Sequence, residues 1–194
     1  MLIAKKVSVL VAAALLGVSL SACAGNGPKS ADAKVDDKVA AKSTGLAEMY
    51  EAHKDGRIWV FGNADLYRGF LGGKEVALQV TRIGAGPNGE TVKFGITKDE
   101  SKMIETLPQI AAIDGKLDGV AQGFYGETFK DGRFYVFDDW NDMKAFRKSG
   151  DAPLAFTYIG KGPNRATVVY VRNKSTAKVK PVAAMERFNK QHGL

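Results

Sequence analysis

Glu51 and Glu127 are two carboxylates in equivalent settings, 76 residues apart. A pair of carboxyl groups facing one another across roughly 5 to 10 Å can hydrolyse a glycosidic bond. They carry the one catalytic reading of the chain, an envelope glycan hydrolase. The two histidines, His53 and His192, offer less, because no Ser-His-acid set can be assembled around either. Asp138, Asp139 and Asp142 gather carboxylates at a helix start. That composition suits a hard cation such as Ca²⁺, although a helix dipole alone also favours acids there. Gly84, Gly86 and Gly89 spell G-x-G-x-x-G, whose chemistry would be dinucleotide binding. Lys54 with Arg57, and Lys130 with Arg133, flank two Asp-Gly turns and could clamp an anion.

A tandem repeat decides among several of these. Residues 54–95 align with 130–171 without a gap, and 16 of 42 positions are identical. "KDGRIWVF" meets "KDGRFYVF", and "TRIGAGPNGETVKF" meets "TYIGKGPNRATVVY". Two copies of one supersecondary unit are therefore expected. The second copy keeps Gly160, Gly162, Pro163 and Asn164 but has Arg165 in place of the third glycine. "ETVKFGI" after the glycines is β-branched and aromatic rather than helical. A dinucleotide site needs a helix at that point, so the glycines are read as a hairpin loop and no cofactor is assigned.

Asp55-Gly56 and Asp131-Gly132 are the favoured dipeptide of a two-residue type I′ turn. Such a turn sets Lys54 opposite Arg57 and Lys130 opposite Arg133. Like charges across a hairpin repel mildly, and an anion between them would relieve the repulsion. Asn63 or Asp138 can cap the following helix, and Gly72, Gly73 and Gly150 stop it. Each copy reads strand-strand-helix-strand-strand. The fold class is α+β: two tandem ββαββ repeats with antiparallel sheets, a helical connector over residues 101–113 and a C-terminal helix over residues 181–191. Val182, Met185 and Phe188 are expected to face the sheets. Trp59 and Tyr135 are candidates to line a groove between the copies.

The first 22 residues read as a secretory leader, with two lysines and then a short apolar run. Leu20-Ser21-Ala22-Cys23 resembles the bacterial lipobox, which implies a lipidated Cys23 at the mature N-terminus. Ala24 follows it, whereas an Asp there would resemble the inner-membrane retention signal. The expected location is the cell envelope, on the outer membrane facing the periplasm if there are two membranes. Residues 23–44 lack aromatics and read as a flexible tether. Repeat 1 is placed at 45–118 and repeat 2 at 119–194. With a single cysteine, the folded part has no disulfide, no cysteine metal cluster and no thiol nucleophile.

The net charge is +7. Without the leader and the tether it falls to about +4, too little to argue for a nucleic-acid partner. "GRFYVFDDWNDMKAF" resembles the YHS-type metal-trafficking module and the copper-binding accessory lipoprotein of nitrous oxide reductase. The resemblance implies duplicated small β/α units and, as a third reading, metal trafficking. The family's ligand cysteines are replaced by Asp138 and Asp142 in copy two and by Gly62 and Leu66 in copy one, so no metal ligand is assigned. The leading expectation is a lipid-anchored, non-catalytic binding or assembly module for an anionic envelope component or an envelope protein.

Overall fold

The computed structural model describes residues 45–194. The leader, Cys23 and the tether lie outside the described residues. Strands β1 (Leu46–Lys54) and β2 (Arg57–Phe61) form the first hairpin. Its turn residues Asp55 and Gly56 have φ of 53° and 68°, as a type I′ turn requires. Helix α1 (Ala64–Leu71), strands β3 (Gln79–Arg82) and β4 (Thr91–Gly95), and the short helix α2 (Pro108–Ile113) complete the first half. The second half repeats the order with β5 (Val120–Lys130), β6 (Arg133–Phe137), α3 (Trp140–Ser149), β7 (Ala155–Tyr158), β8 (Thr167–Val171) and α4 (Val182–His192). Asp131 and Gly132 reproduce the turn, with φ of 52° and 72°. The glycine-rich segments are loops, β3 to β4 and β7 to β8, each joining an antiparallel pair.

All eight strands join one sheet in the order β3-β4-β2-β1-β5-β6-β8-β7. The protein is thus α+β, but the sheet is mixed rather than purely antiparallel. β1 with β5, β2 with β4, and β6 with β8 run parallel. The palindromic order relates the two halves by a pseudo-twofold axis running along the strands, between β1 and β5. Such an axis exchanges the two faces of the sheet. Neighbouring side chains at one height must share a face, so the two copies can meet only with a one-residue stagger. The register shows it: Tyr50 pairs with Glu127 and Glu51 with Thr128, although the repeat equates Glu51 with Glu127.

The stagger builds two cores. On one face α2 and α3 cover Met49, Val60, Phe94, Phe124, Phe137 and Val169. On the other α1 and α4 cover Tyr50, Phe61, Tyr125, Val136 and Tyr170. Burying each of these large side chains contributes roughly 1.5–3 kcal/mol before entropy is counted. Gly126 leaves room for the Met143 side chain of α3, since an added Cβ would lie 2.5 Å from Met143 Sδ. In α4 the buried positions are Ala184 and Phe188, with Met185 packed beside them, while Val182 is exposed. Of the three residues expected to face the sheets, Met185 and Phe188 do so, joined by Ala184 at i, i+4 from Phe188, while Val182 lies off that face.

Candidate functional site

The two carboxylates of the hydrolase reading do not meet. The stagger points Glu51 to the α2/α3 face and Glu127 to the α1/α4 face, and both are 0% exposed. They cannot flank one substrate, and that reading is corrected. Each has a structural partner instead. Arg147 Nε on α3 donates to Glu51 Oε1 at 2.5 Å. His192 Nε2 lies 2.9 Å from Glu127 Oε1, and the Tyr125 hydroxyl donates to Glu127 Oε2 at 2.9 Å. Tyr67 on α1 buries its hydroxyl nearby without a hydrogen-bond partner. Burial, and then the charge of Glu127, pushes the Tyr67 phenol well above its usual range.

His192 is not at a fraying end, as its place in the chain suggests. Its ring packs at a tilt against Phe188, 4.4 Å between centroids, and meets Phe134 edge to face. His53 is half-buried on the opposite face, and desolvation lowers its pKa. Trp59 and Tyr135 also part company: Trp59 packs under α1 with Phe70, Tyr135 under α3 with Phe146. They share no groove, because the stagger that separates the glutamates separates them too.

The acidic cluster is spent on local structure. Asp139, not Asp138, caps α3 by accepting from Asn141 N at 2.7 Å. Asp138 pairs with Arg172 at 2.5 Å, and Asp142 accepts from Asn173 Nδ2 at 3.0 Å. Burial and neighbouring Asp139 push the Asp142 carboxyl up. Among the described residues no three His, Cys, Asp or Glu side chains converge as metal ligands. In the first copy Asn63 caps α1, accepting from Leu66 N.

The basic hairpin flanks sit in the expected register, Lys54 opposite Arg57 and Lys130 opposite Arg133. Both turns lie at the same end of the sheet, since β1 and β5 are parallel neighbours. The pairs nevertheless face opposite sides. Lys54 Nζ stands 5.3 Å from the centre of the Phe70 ring on the α1 side, whereas Lys130 reaches toward Gly150 at the end of α3. They are two separate pairs, not one four-cation clamp.

A groove that the sequence did not disclose opens beside the second hairpin turn, on the α1/α4 face and away from Lys130 and Arg133. It measures about 830 Å³ and lies between the C-terminal ends of α1 and α4, the second hairpin turn and the β7–β8 loop. Phe129, Phe134, Leu71 and Ala166 supply apolar wall; Arg68, Arg165 and Lys190 supply charge. No carboxylate belongs to its described lining. Arg68 is partly engaged, bonding Asp65 and the Gln191 carbonyl. Arg165 and Lys190 are exposed.

The pseudo-symmetric place in the first copy is a smaller depression of about 280 Å³, lined by His53, Gly56, Ile58, Glu90 and Asp131 among others. There Gly89 stands where Arg165 stands, and Glu90 where Ala166 stands. Gly89 has φ of 81°, natural for glycine; Asn164 and Arg165 hold φ of 53° and 62°. A side-chain-bearing residue in this left-handed region costs roughly 1–2 kcal/mol. The second copy carries that strain at Arg165, a residue of the groove lining. The substitution of the third glycine is the sequence signal that could have found it.

Compared with family models, with curated proteins and with solved structures, the chain matches none. Among the described residues no helix is long and apolar enough to cross a membrane.

Proposed function

We propose that the protein is a lipid-anchored lipoprotein of the bacterial envelope whose folded part binds an anionic envelope component without catalysing its conversion. The leader, the lipobox ending at Cys23 and Ala24 after it support anchoring on the outer membrane, facing the periplasm. The observation that carries the binding reading is the groove: Arg165 and Lys190 over an aromatic wall, with Arg165 at a strained position that the sister copy gives to glycine. Cations beside an apolar trough suit an amphiphile with a phosphate or carboxylate head and a hydrocarbon or ring body.

Two measurements test this. With Cys23→Ser, a high-salt wash should leave the protein in the soluble fraction, because salt screens contacts between basic residues and lipid phosphates but not an acyl anchor; a variant that still pellets after that wash contradicts lipid anchoring. The chain from residue 23 with Cys23→Ser should bind dodecyl phosphate below its micelle concentration and ignore neutral dodecyl maltoside. Salt should weaken that binding. Equal binding of both detergents, or of neither, contradicts the groove.

A further inference from the structure

Ile83 and Ile159 occupy equivalent positions of the two copies and are 89% and 83% exposed. The next most exposed large apolar side chain among those described is Val179, at 58%. Single exposed apolar residues are ordinary. A matched pair, standing almost free on equivalent loops, is not accounted for by the fold, since neither residue touches a core.

The strand directions put both loops at one end of the molecule. Thr91 pairs with Arg57 at the start of β2, and Thr167 with Arg133 at the start of β6. The two long loops therefore emerge beside the two Asp-Gly turns. Across that end run, in order, the Ile83 loop, the first turn, the second turn and the Ile159 loop. The isoleucines flank it from the outermost hairpins, seven strand spacings or roughly 33 Å apart. Between and beside them stand Lys54, Arg57, Lys130, Arg133, Lys161 and Arg165. The acids there are Asp55 and Asp131 in the turns and Glu90, which accepts from Asn88.

We propose that this end of the sheet docks onto an anionic lipid bilayer, with Ile83 and Ile159 entering the headgroup region and the surrounding cations meeting lipid phosphates. A protein partner would call for a clustered apolar centre. Two lone aliphatics separated by a broad basic stretch instead fit a plane that accepts side chains anywhere along it. The pseudo-twofold axis brings the two loops to nearly the same height, so one plane meets both. The chain outside the described residues agrees in reach. The stretch 23–44 has 22 residues and spans at most about 75 Å, while β1 spans about 30 Å. The anchored end can thus lie in the same membrane that the turns touch, although β1 starts at the opposite end. Only this last step rests on lipidation at Cys23.

The test is sedimentation of the chain from residue 23, carrying Cys23→Ser, with vesicles of phosphatidylglycerol and phosphatidylcholine in equal parts, and with phosphatidylcholine alone. The protein should pellet with the anionic vesicles and stay in solution with the neutral ones. Ile83→Asp with Ile159→Asp should weaken pelleting at least about tenfold. The pair Ile83→Ala and Ile159→Ala gives the same direction should the aspartates disturb folding. Replacing Lys54, Arg57, Lys130 and Arg133 by Gln should also release the protein. The docking reading is overturned if wild type stays in solution with anionic vesicles, if it pellets equally with neutral ones, or if the isoleucine variants pellet like wild type. It is overturned too if light scattering shows that the isoleucines join copies of the chain to each other. Dodecyl phosphate binding in the groove should survive the isoleucine exchanges, so failure of docking and failure of the groove are separable.

Discussion

Glu51 and Arg147 form a pair that only the folded chain could reveal. The glutamate is fully enclosed, and the guanidinium comes from the other copy's helix. The repeat singles out Glu51 but gives it no partner, and its spacing of 96 residues from Arg147 follows no local periodicity. Removing one partner of a buried pair strands a charge and costs about 3–5 kcal/mol. Arg147→Met should lower the denaturant midpoint accordingly, and adding Glu51→Gln should restore part of the loss. A single variant as stable as wild type contradicts the pairing. A second residue-scale expectation comes from the tyrosines under α1 and α4. Burial first, and Glu127 second, pushes Tyr170 up to about 12, and burial raises Tyr50, Tyr67 and Tyr125 as well. A phenol whose folded pKa exceeds its unfolded value binds its proton more tightly when folded, so its contribution is whole below about pH 10 and drains away as pH climbs toward the folded value. Circular dichroism should stay native to about pH 10 and fall above it, with the phenolate absorbance rising in step. Phenolate signal from all the tyrosines near pH 10 in an intact fold contradicts this.

The elements were legible where local chemistry dictates them. Asp-Gly dictates the type I′ turns, Asn63 the start of α1, and Gly150, at φ of 74°, the end of α3. They were less legible where tertiary partners intervene. Asp138 and Asp139 are equally good caps by type; what separates them is Arg172, whose side chain is 5% exposed and takes Asp138 as its partner. Two exchanges should therefore differ. Asp139→Ala loses a cap and about 1 kcal/mol. Asp138→Ala leaves Arg172 without its carboxylate and should cost distinctly more. Thermal melts of the two variants read the difference, and equal losses contradict the assignment. The stretch "VALQVTRI" is strand-like throughout, yet β3 keeps only Gln79–Arg82, because only those four residues find partners on β4.

At the scale of the molecule, the repeat disclosed two units but not how they join. The face exchange and the one-residue stagger follow from the parallel pairing of β1 with β5, which no pattern within either copy specifies. That joint explains why equivalent residues, the glutamates above all, end on opposite faces. It also makes the halves interdependent. Arg147 on α3 reaches Glu51 of the first copy, and Arg187 on α4 reaches Glu48 at 2.6 Å. The protein should unfold in one cooperative transition, with neither half folded alone; two separate transitions, each reproduced by an isolated half, contradict this.

Duplication alone would give the two copies like sites, and they differ at one groove. The most direct test is a residue-resolved chemical-shift titration of the chain from residue 23, carrying Cys23→Ser, with dodecyl phosphate. Shifts should concentrate at residues 68–72, 129–134, 163–166 and 190–193, and Arg165→Gly should weaken binding about tenfold or more without lowering the melting temperature. Shifts centred instead on residues 53–58 and Glu90, or an Arg165→Gly protein that binds like wild type, would contradict the assignment of the groove.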